Sequence, residues 1–254
     1  NAIRDALVTT PGWRALDASP PSAGQAFRLT GTTGSAASAV VGALHVHHPE
    51  RVVLAVAADP NAAQALAADL DALLGEGVAH LFPQREGLPW DAQEPHVEYS
   101  GLRVEAVESL FTGEGRVLVT TIRGIQERFP VPTHLAELRI PLKVGTEPPF
   151  QQLIEDLEAR GFERVPIVEE IGQFAVRGGL IDVFSVGAPD PLRIEFWGDE
   201  IESIRSFDIL DQRSTGTLDE AAILPVDFTS SDDASTELRS LLELLPSGAL
   251  VVDH

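Results

Sequence analysis

Residues 174–208 read FAVRGGLIDVFSVGAPDPLRIEFWGDEIESIRSFD, and the alternation within this stretch decides the fold of the chain around it. Phe174 and Val176 alternate with Ala175 and Arg177. Gly178-Gly179 then permits a backbone turn closed to most residues, and residues 180–184 resume an apolar strand. Ala188-Pro189-Asp190-Pro191 interrupts it. Leu192, Ile194 and Phe196 fall on one face while Arg193, Glu195 and Trp197 fall on the other; Gly198-Asp199 is a hairpin turn, and residues 201–207 return. The expected product is an antiparallel meander with one apolar face and one face of arginine, carboxylate and tryptophan. In a sheet of no special purpose that second face is a solvated surface.

The chain of 254 residues is long enough for about two domains, each with its own core. An apolar content of 44% with little low-complexity sequence marks a globular protein, and no apolar run reaches the roughly 20 residues of a membrane span. The N-terminus carries no basic-then-apolar signal pattern, so the expected location is cytoplasmic, with no membrane partner. Without cysteine there are no disulfides, thiolate metal sites or cysteine nucleophile. His45, His47 and His48 cluster at the end of an expected helix, where they complement the helix dipole better than they would bind a metal. A net charge of −21 is poorly suited to gripping the 6 to 10 phosphates, on the order of what specific duplex binders use, so little or no DNA binding is expected.

Residues 1–24 are expected to form an entry helix (2–8) and a Pro/Gly/Ser-rich linker. Residues 26–29 read as a strand feeding Gly31-Thr32-Thr33-Gly34-Ser35-Ala36-Ala37-Ser38, with a helix over 39–45. Strand, glycine loop and helix make the architecture of a phosphate-binding loop. Against the pattern G-x-x-x-x-G-K-[ST], Gly31 and Ser38 are kept, but Ala36 stands for the second glycine and Ala37 for the lysine that would hold the β and γ phosphates. Lys143 is the only lysine in the chain, and no arginine lies between Arg28 and Arg51. The loop, with Gly31, Gly34, Ala36, Ala37 and Ser38, is expected to be a relic that binds no cofactor and turns over no nucleotide.

Downstream, apolar strands at 51–58, 78–82 and 117–121 alternate with helices at 62–74, 100–111 and 122–129. That order predicts a parallel, doubly wound sheet similar to half of a helicase-type ATPase core. Residues 1–135 are thus read as a degenerate P-loop-like α/β domain. A strand at 138–144, a helix at 150–160 and the meander make 136–225 a small α+β domain inserted into it. Residues 226–254 are a linker, a helix (238–245) and a strand (249–252), the start of the returning α/β segment. Asp253 ends that strand where an ATPase places its magnesium-binding aspartate, but His254 follows where a helicase has glutamate. A chain that stops there is expected to be a piece of a longer protein.

Residues 172–208 resemble the module shared by the bacterial excision-repair protein UvrB and the transcription-repair coupling factor family, where it docks the damage sensor UvrA. The following DQRSTG (211–216) favours the coupling factors, as does the altered loop at 31–38. The interval 91–101 is also too short for the aromatic hairpin that UvrB inserts there. Aligning RGGLIDVF and RIEF with the family carries the UvrA-facing positions onto Arg164, Arg177, Phe184, Arg193 and Glu195; one further arginine of the UvrB set is Ala175 here. Phe184 is equally well read as core, and Glu195 as a cross-strand partner of Arg193 or Arg205. The resemblance implies a non-catalytic adaptor that recruits UvrA to stalled RNA polymerase. ATP and magnesium, and the contacts with RNA polymerase and DNA, would belong to a downstream motor of the parent protein. The rival reading is a divergent UvrB-type ATP-dependent repair helicase module; a third is a scaffold for a different partner.

Overall fold

The structure is a computed structural model that describes residues 2–30, 34–85, 96–113, 115–131, 139–228 and 237–253. In chain order the elements are α1 (Ala2–Val8), α2 (Pro11–Ala18), α3 (Ala36–His47), β1 (Val53–Ala57), α4 (Pro60–Leu74), β2 (Ala79–Leu81), α5 (Val97–Thr112), β3 (Val117–Thr121), α6 (Ile122–Gln126), β4 (Arg128–Val131), β5 (Ile140–Lys143), α7 (Phe150–Ala159), β6 (Glu163–Arg164), β7 (Gln173–Arg177), β8 (Leu180–Val183), β9 (Leu192–Trp197), β10 (Glu200–Phe207), β11 (Ser214–Leu218), β12 (Glu220–Ile223), β13 (Glu237–Ser240), α8 (Leu241–Leu244) and β14 (Leu250–Asp253). They fall into two compact units, one of residues 1–88, 106–128 and 239–254, the other of residues 89–105 and 129–238.

The first unit is built on a parallel sheet in the order β14-β1-β3-β2. Every residue of β1 (VLAVA) and β3 (VLVTT) is buried, as expected of parallel strands covered on both faces. Helix α4 starts where Asp59 accepts the Ala62 N–H and Pro60 presets the first turn, and it stops at Gly75. With α3 it covers the sheet through Val40, Val41, Leu44, Leu66 and Leu70. The expected linker contains a further helix, α2, because Thr10 caps the Trp13 N–H, Pro11 opens the turn, and Trp13 and Leu16 bury themselves one turn apart. The expected strand at 26–29 does not form. Residues 25–30 line a cavity of about 730 Å³ together with residues 250–253, and they join no sheet.

The expected helix over 122–129 ends at Gln126, and Phe129 and Val131 alternate with exposed Arg128 in β4. Likewise 238–245 is divided between β13 and the short α8, whose start is fixed by a Ser240/Glu243 capping box. His47 Nδ1 and His48 Nε2 each lie 3.2 Å from the Asp17 carboxylate, so the histidine cluster joins the end of α3 to α2. Among the described residues no group of three or more His, Asp or Glu side chains could hold a metal, and no helix is long and apolar enough to cross a membrane.

The second unit carries a six-stranded sheet, β11-β10-β9-β8-β7-β6, antiparallel except where β6 joins β7, and a separate β12-β5 ribbon. One face packs on α7: Phe174, Ile181, Val183, Leu192, Ile194, Phe196, Ile201 and Ile204 meet Leu153, Ile154 and Leu157. A register shift between Ile201 and Ser203 lets both isoleucines of β10 point inward. The meander extends past residue 207 into β11, whose Ser, Thr and Gly residues are exposed throughout and carry no apolar alternation. Gly179 closes the β7–β8 turn so tightly that an added Cβ would come within 2.9 Å of the Phe196 carbonyl oxygen.

His45, in the last turn of α3, is held below the ordinary imidazole value of 6.5 by burial and then by the charge of Arg116. The unfolded chain therefore takes up this proton first, and the stability His45 contributes is complete above about pH 6.5 and lost as pH falls below it. His45→Gln should flatten the decline of Tm below about pH 6.5 relative to the parent chain; parallel declines would show that the imidazole is not so buried.

Candidate functional site

The outer face of the six-stranded sheet, opposite α7, gathers the polar residues of the meander. Because Ile181 and Val183 point inward, Asp182 between them points outward, and it is 1% exposed. The register sets Ala175 opposite Asp182, Asp182 opposite Arg193, and Arg193 opposite Arg205. Arg193 donates to Asp182 through Nε (2.7 Å to Oδ1) and Nη2 (2.9 Å to Oδ2), the bidentate geometry that a planar guanidinium provides. Arg177 donates to Oδ2 of the same carboxylate. One buried negative charge therefore holds two arginines.

A folded loop completes the surroundings of Arg193. Its Nη1 donates to the Gln212 carbonyl at 3.0 Å, and its guanidinium lies 4.5 Å from the centre of the Phe207 ring. Gln212 has φ +60, an uncommon conformation for a residue other than glycine, and its amide donates in turn to the Ile209 (3.0 Å) and Val168 (3.4 Å) carbonyls. Asp208 fixes the turn by accepting the Leu210 N–H at 2.7 Å. The Asp182 hydrogen bond, acting against burial, raises the Arg193 pKa further above its ordinary value.

The sequence-predicted residues occupy different places. Arg177 is 44% exposed on the outer face, whereas the Arg193 side chain is 15% exposed and engaged with Asp182 and Gln212. Glu195 accepts from Arg205 and, at 3.2 Å, from Ser203, the cross-strand alternative that its position allowed. Phe184 is half-buried against Val165, Val168, Ala175 and Phe207. Arg164 stands apart. It pairs in register with the inward-facing Phe174, and its guanidinium lies 3.9 Å from Glu158 of α7, at the sheet edge on the helix side.

Asp182 and Gln212 were not among the predicted residues. A lone aspartate inside an apolar strand, facing an arginine across a hairpin, was the available signal for the first; Gln212 lies in the DQR segment, where nothing in the spacing announces its backbone conformation. At the loop of the first unit, Gly31 lies outside the described residues, Gly34 has φ +56, and Ala36 opens α3. Ala37 is 6% exposed, and the buried Ser38 hydroxyl donates to Asp69 of α4 at 2.8 Å. Asp253 ends β14 beside Val56; His254 lies outside the described residues.

An α+β unit with a guanidinium cluster on the sheet face opposite its helix is the class this geometry defines, and residues 140–228 match the family model of the UvrB interaction domain. The chain is similar to transcription-repair-coupling factors. It is 37% identical over 175 residues to that of Mycobacterium tuberculosis (66% of this chain, 14% of the relative), 36% over 212 residues to that of Myxococcus xanthus (80% and 17%), and 30% over 219 residues to that of Escherichia coli (86% and 19%). The chain thus belongs to the transcription-repair-coupling factor family as its UvrB-like module, and it spans less than a fifth of the length of these relatives.

Removing Asp182 would leave Arg193 half-buried without its counter-charge. Asp182→Ala should lower unfolding stability on the order of 3 kcal/mol in urea denaturation, and a loss under about 0.5 kcal/mol, as at an ordinary surface position, would contradict this account.

Proposed function

We propose that this chain is the adaptor of a transcription-repair coupling factor that recruits UvrA, docking it through the outer face of the six-stranded sheet. The observation that carries the reading is the charge balance at Asp182. Its single negative charge is already matched by the bidentate Arg193, so Arg177 brings a positive charge in excess on a side chain that is 44% exposed. A guanidinium has five N–H donors in a rigid fork, and bonding to Asp182 leaves the fork able to receive a carboxylate from a partner. Arg193 acts from beneath by holding Asp182, and Glu195 and Phe184 border the same face. Arg164 extends the contact around the sheet edge. In the parent protein, RNA polymerase and DNA would be engaged by other domains, with ATP and magnesium in its motor.

Because Arg193 continues to neutralise Asp182, Arg177 can be removed without leaving a buried charge. Arg177→Ala should weaken UvrA binding by about 2 to 5 kcal/mol while the Tm stays nearly constant. Unchanged affinity in a calorimetric titration would overturn the assignment. Arg164→Glu should likewise reduce capture of UvrA in a pull-down.

The rival reading, an ATP-dependent repair helicase module, requires a working phosphate grip. Position 37 is a buried alanine, and Ser38, where a P-loop presents its metal-binding hydroxyl, donates to Asp69. Saturating Mg-ATP, which at 100 times its dissociation constant would add about 2.7 kcal/mol of stability to a binder, should leave the Tm where it was. A rise would favour the helicase reading.

A further inference from the structure

We infer that Trp197 is an apolar anchor of the same docking face, an indole that enters the UvrA surface gripped by Arg177; the inference rests on the UvrA-docking reading above. Trp197 is 78% exposed, whereas Trp13 is buried to 1%. It closes β9 with its side chain on the outer face, next after Glu195 along the strand. The register of β8 and β9 places Leu180 opposite Glu195, and the Phe196 N–H donates to the Gly179 carbonyl at 2.8 Å. Gly178 and Gly179 form the turn that follows Arg177 and leads into β8, at the end of the sheet where β9 closes with Trp197. Gly178 has φ +61 and no side chain, and a Cβ there would meet open space. The indole thus stands exposed at the same end of the outer face as the turn that carries Arg177.

This position is rigid without help from the indole. Phe196, its inward-facing neighbour, packs edge-on against Phe150 with ring centres 5.0 Å apart. Asp199 in the adjoining turn accepts the Phe150 N–H at the start of α7 (3.2 Å), and Ile201 exchanges backbone hydrogen bonds with residues 145 and 146 (both 2.9 Å). Trp197 takes no part in the apolar core. A large, two-torsion aromatic displayed on a fixed support is the residue type that dominates interface energetics, since little motion is lost when it is covered. A protein is the fitting occupant. A net charge of −21 opposes both a polyanion and a second copy of the chain, while Arg177 on the same face selects for carboxylates.

The test is a binding titration of the whole chain with UvrA from the same organism. Trp197→Ala should bind at least tenfold more weakly than the parent at unchanged Tm, with Trp197→Phe recovering most of the loss. The fluorescence that Trp197→Phe removes should be open to acrylamide in the free chain and shielded in the complex. Parental affinity in Trp197→Ala, with Arg177→Ala impaired, would overturn the anchor and leave the docking face standing. Absence of binding by the parent chain would overturn both. Retention of a fluorescent single-stranded oligonucleotide that depends on Trp197 would also overturn the anchor, in favour of base stacking.

Discussion

The outer face of the sheet depends on one buried carboxylate. Asp182 is removed from water by the strands on either side, and an isolated charge there would cost several kcal/mol. Two guanidinium groups remove that penalty unequally. Arg193 does so with a bidentate bond and is fixed in its turn by Gln212 and Phe207, while Arg177 reaches in from the surface with part of its fork. The loop of residues 208–213 and the strand pair β8–β9 are thereby tied to one ion cluster, and a backbone strained at Gln212 is held by the bonds it makes. The same arrangement orders a partly solvated arginine that alone would be one of many flexible surface cations.

The opposite side of this sheet supplies the rigidity. Branched and aromatic residues from four strands of the meander close on Leu153, Ile154 and Leu157 of α7, so the outer residues stand on strands that cannot shift without opening the core. Support and contact are thus divided between alternate residues of the same strands, which is why a period of two in the sequence carries both the fold and the display.

That period also explains what could be read beforehand. The strands of the meander from Phe174 to Phe207 and the buried runs around Val53 and Val117 follow from alternation or unbroken apolarity, and they stand where they were expected. The segment at 26–29 has the composition of a strand but pairs with no other strand, which its own residues do not reveal. Helix α2 was hidden by prolines that suggest a linker, although Thr10-Pro11 is an ordinary helix start. β11 is polar on both faces and is recruited by β10 alone. At the candidate site, resemblance and alternation brought Arg177 and Glu195 to one face, yet they could not foresee that Arg164 turns to the helix side or that Asp182 lies beneath. Both depend on which neighbour each side chain meets across the sheet.

The bond from the Ser38 hydroxyl to Asp69 limits how the first unit can change. Building a phosphate grip at this loop would take more than a lysine at position 37. The new ammonium would have to leave a site now 6% exposed, and the serine would have to be released from Asp69, which helps hold α3 against α4. Each change alone loosens packing and gains nothing until the other is made, so these two positions favour refinement of the unit as scaffolding over the acquisition of a nucleotide grip.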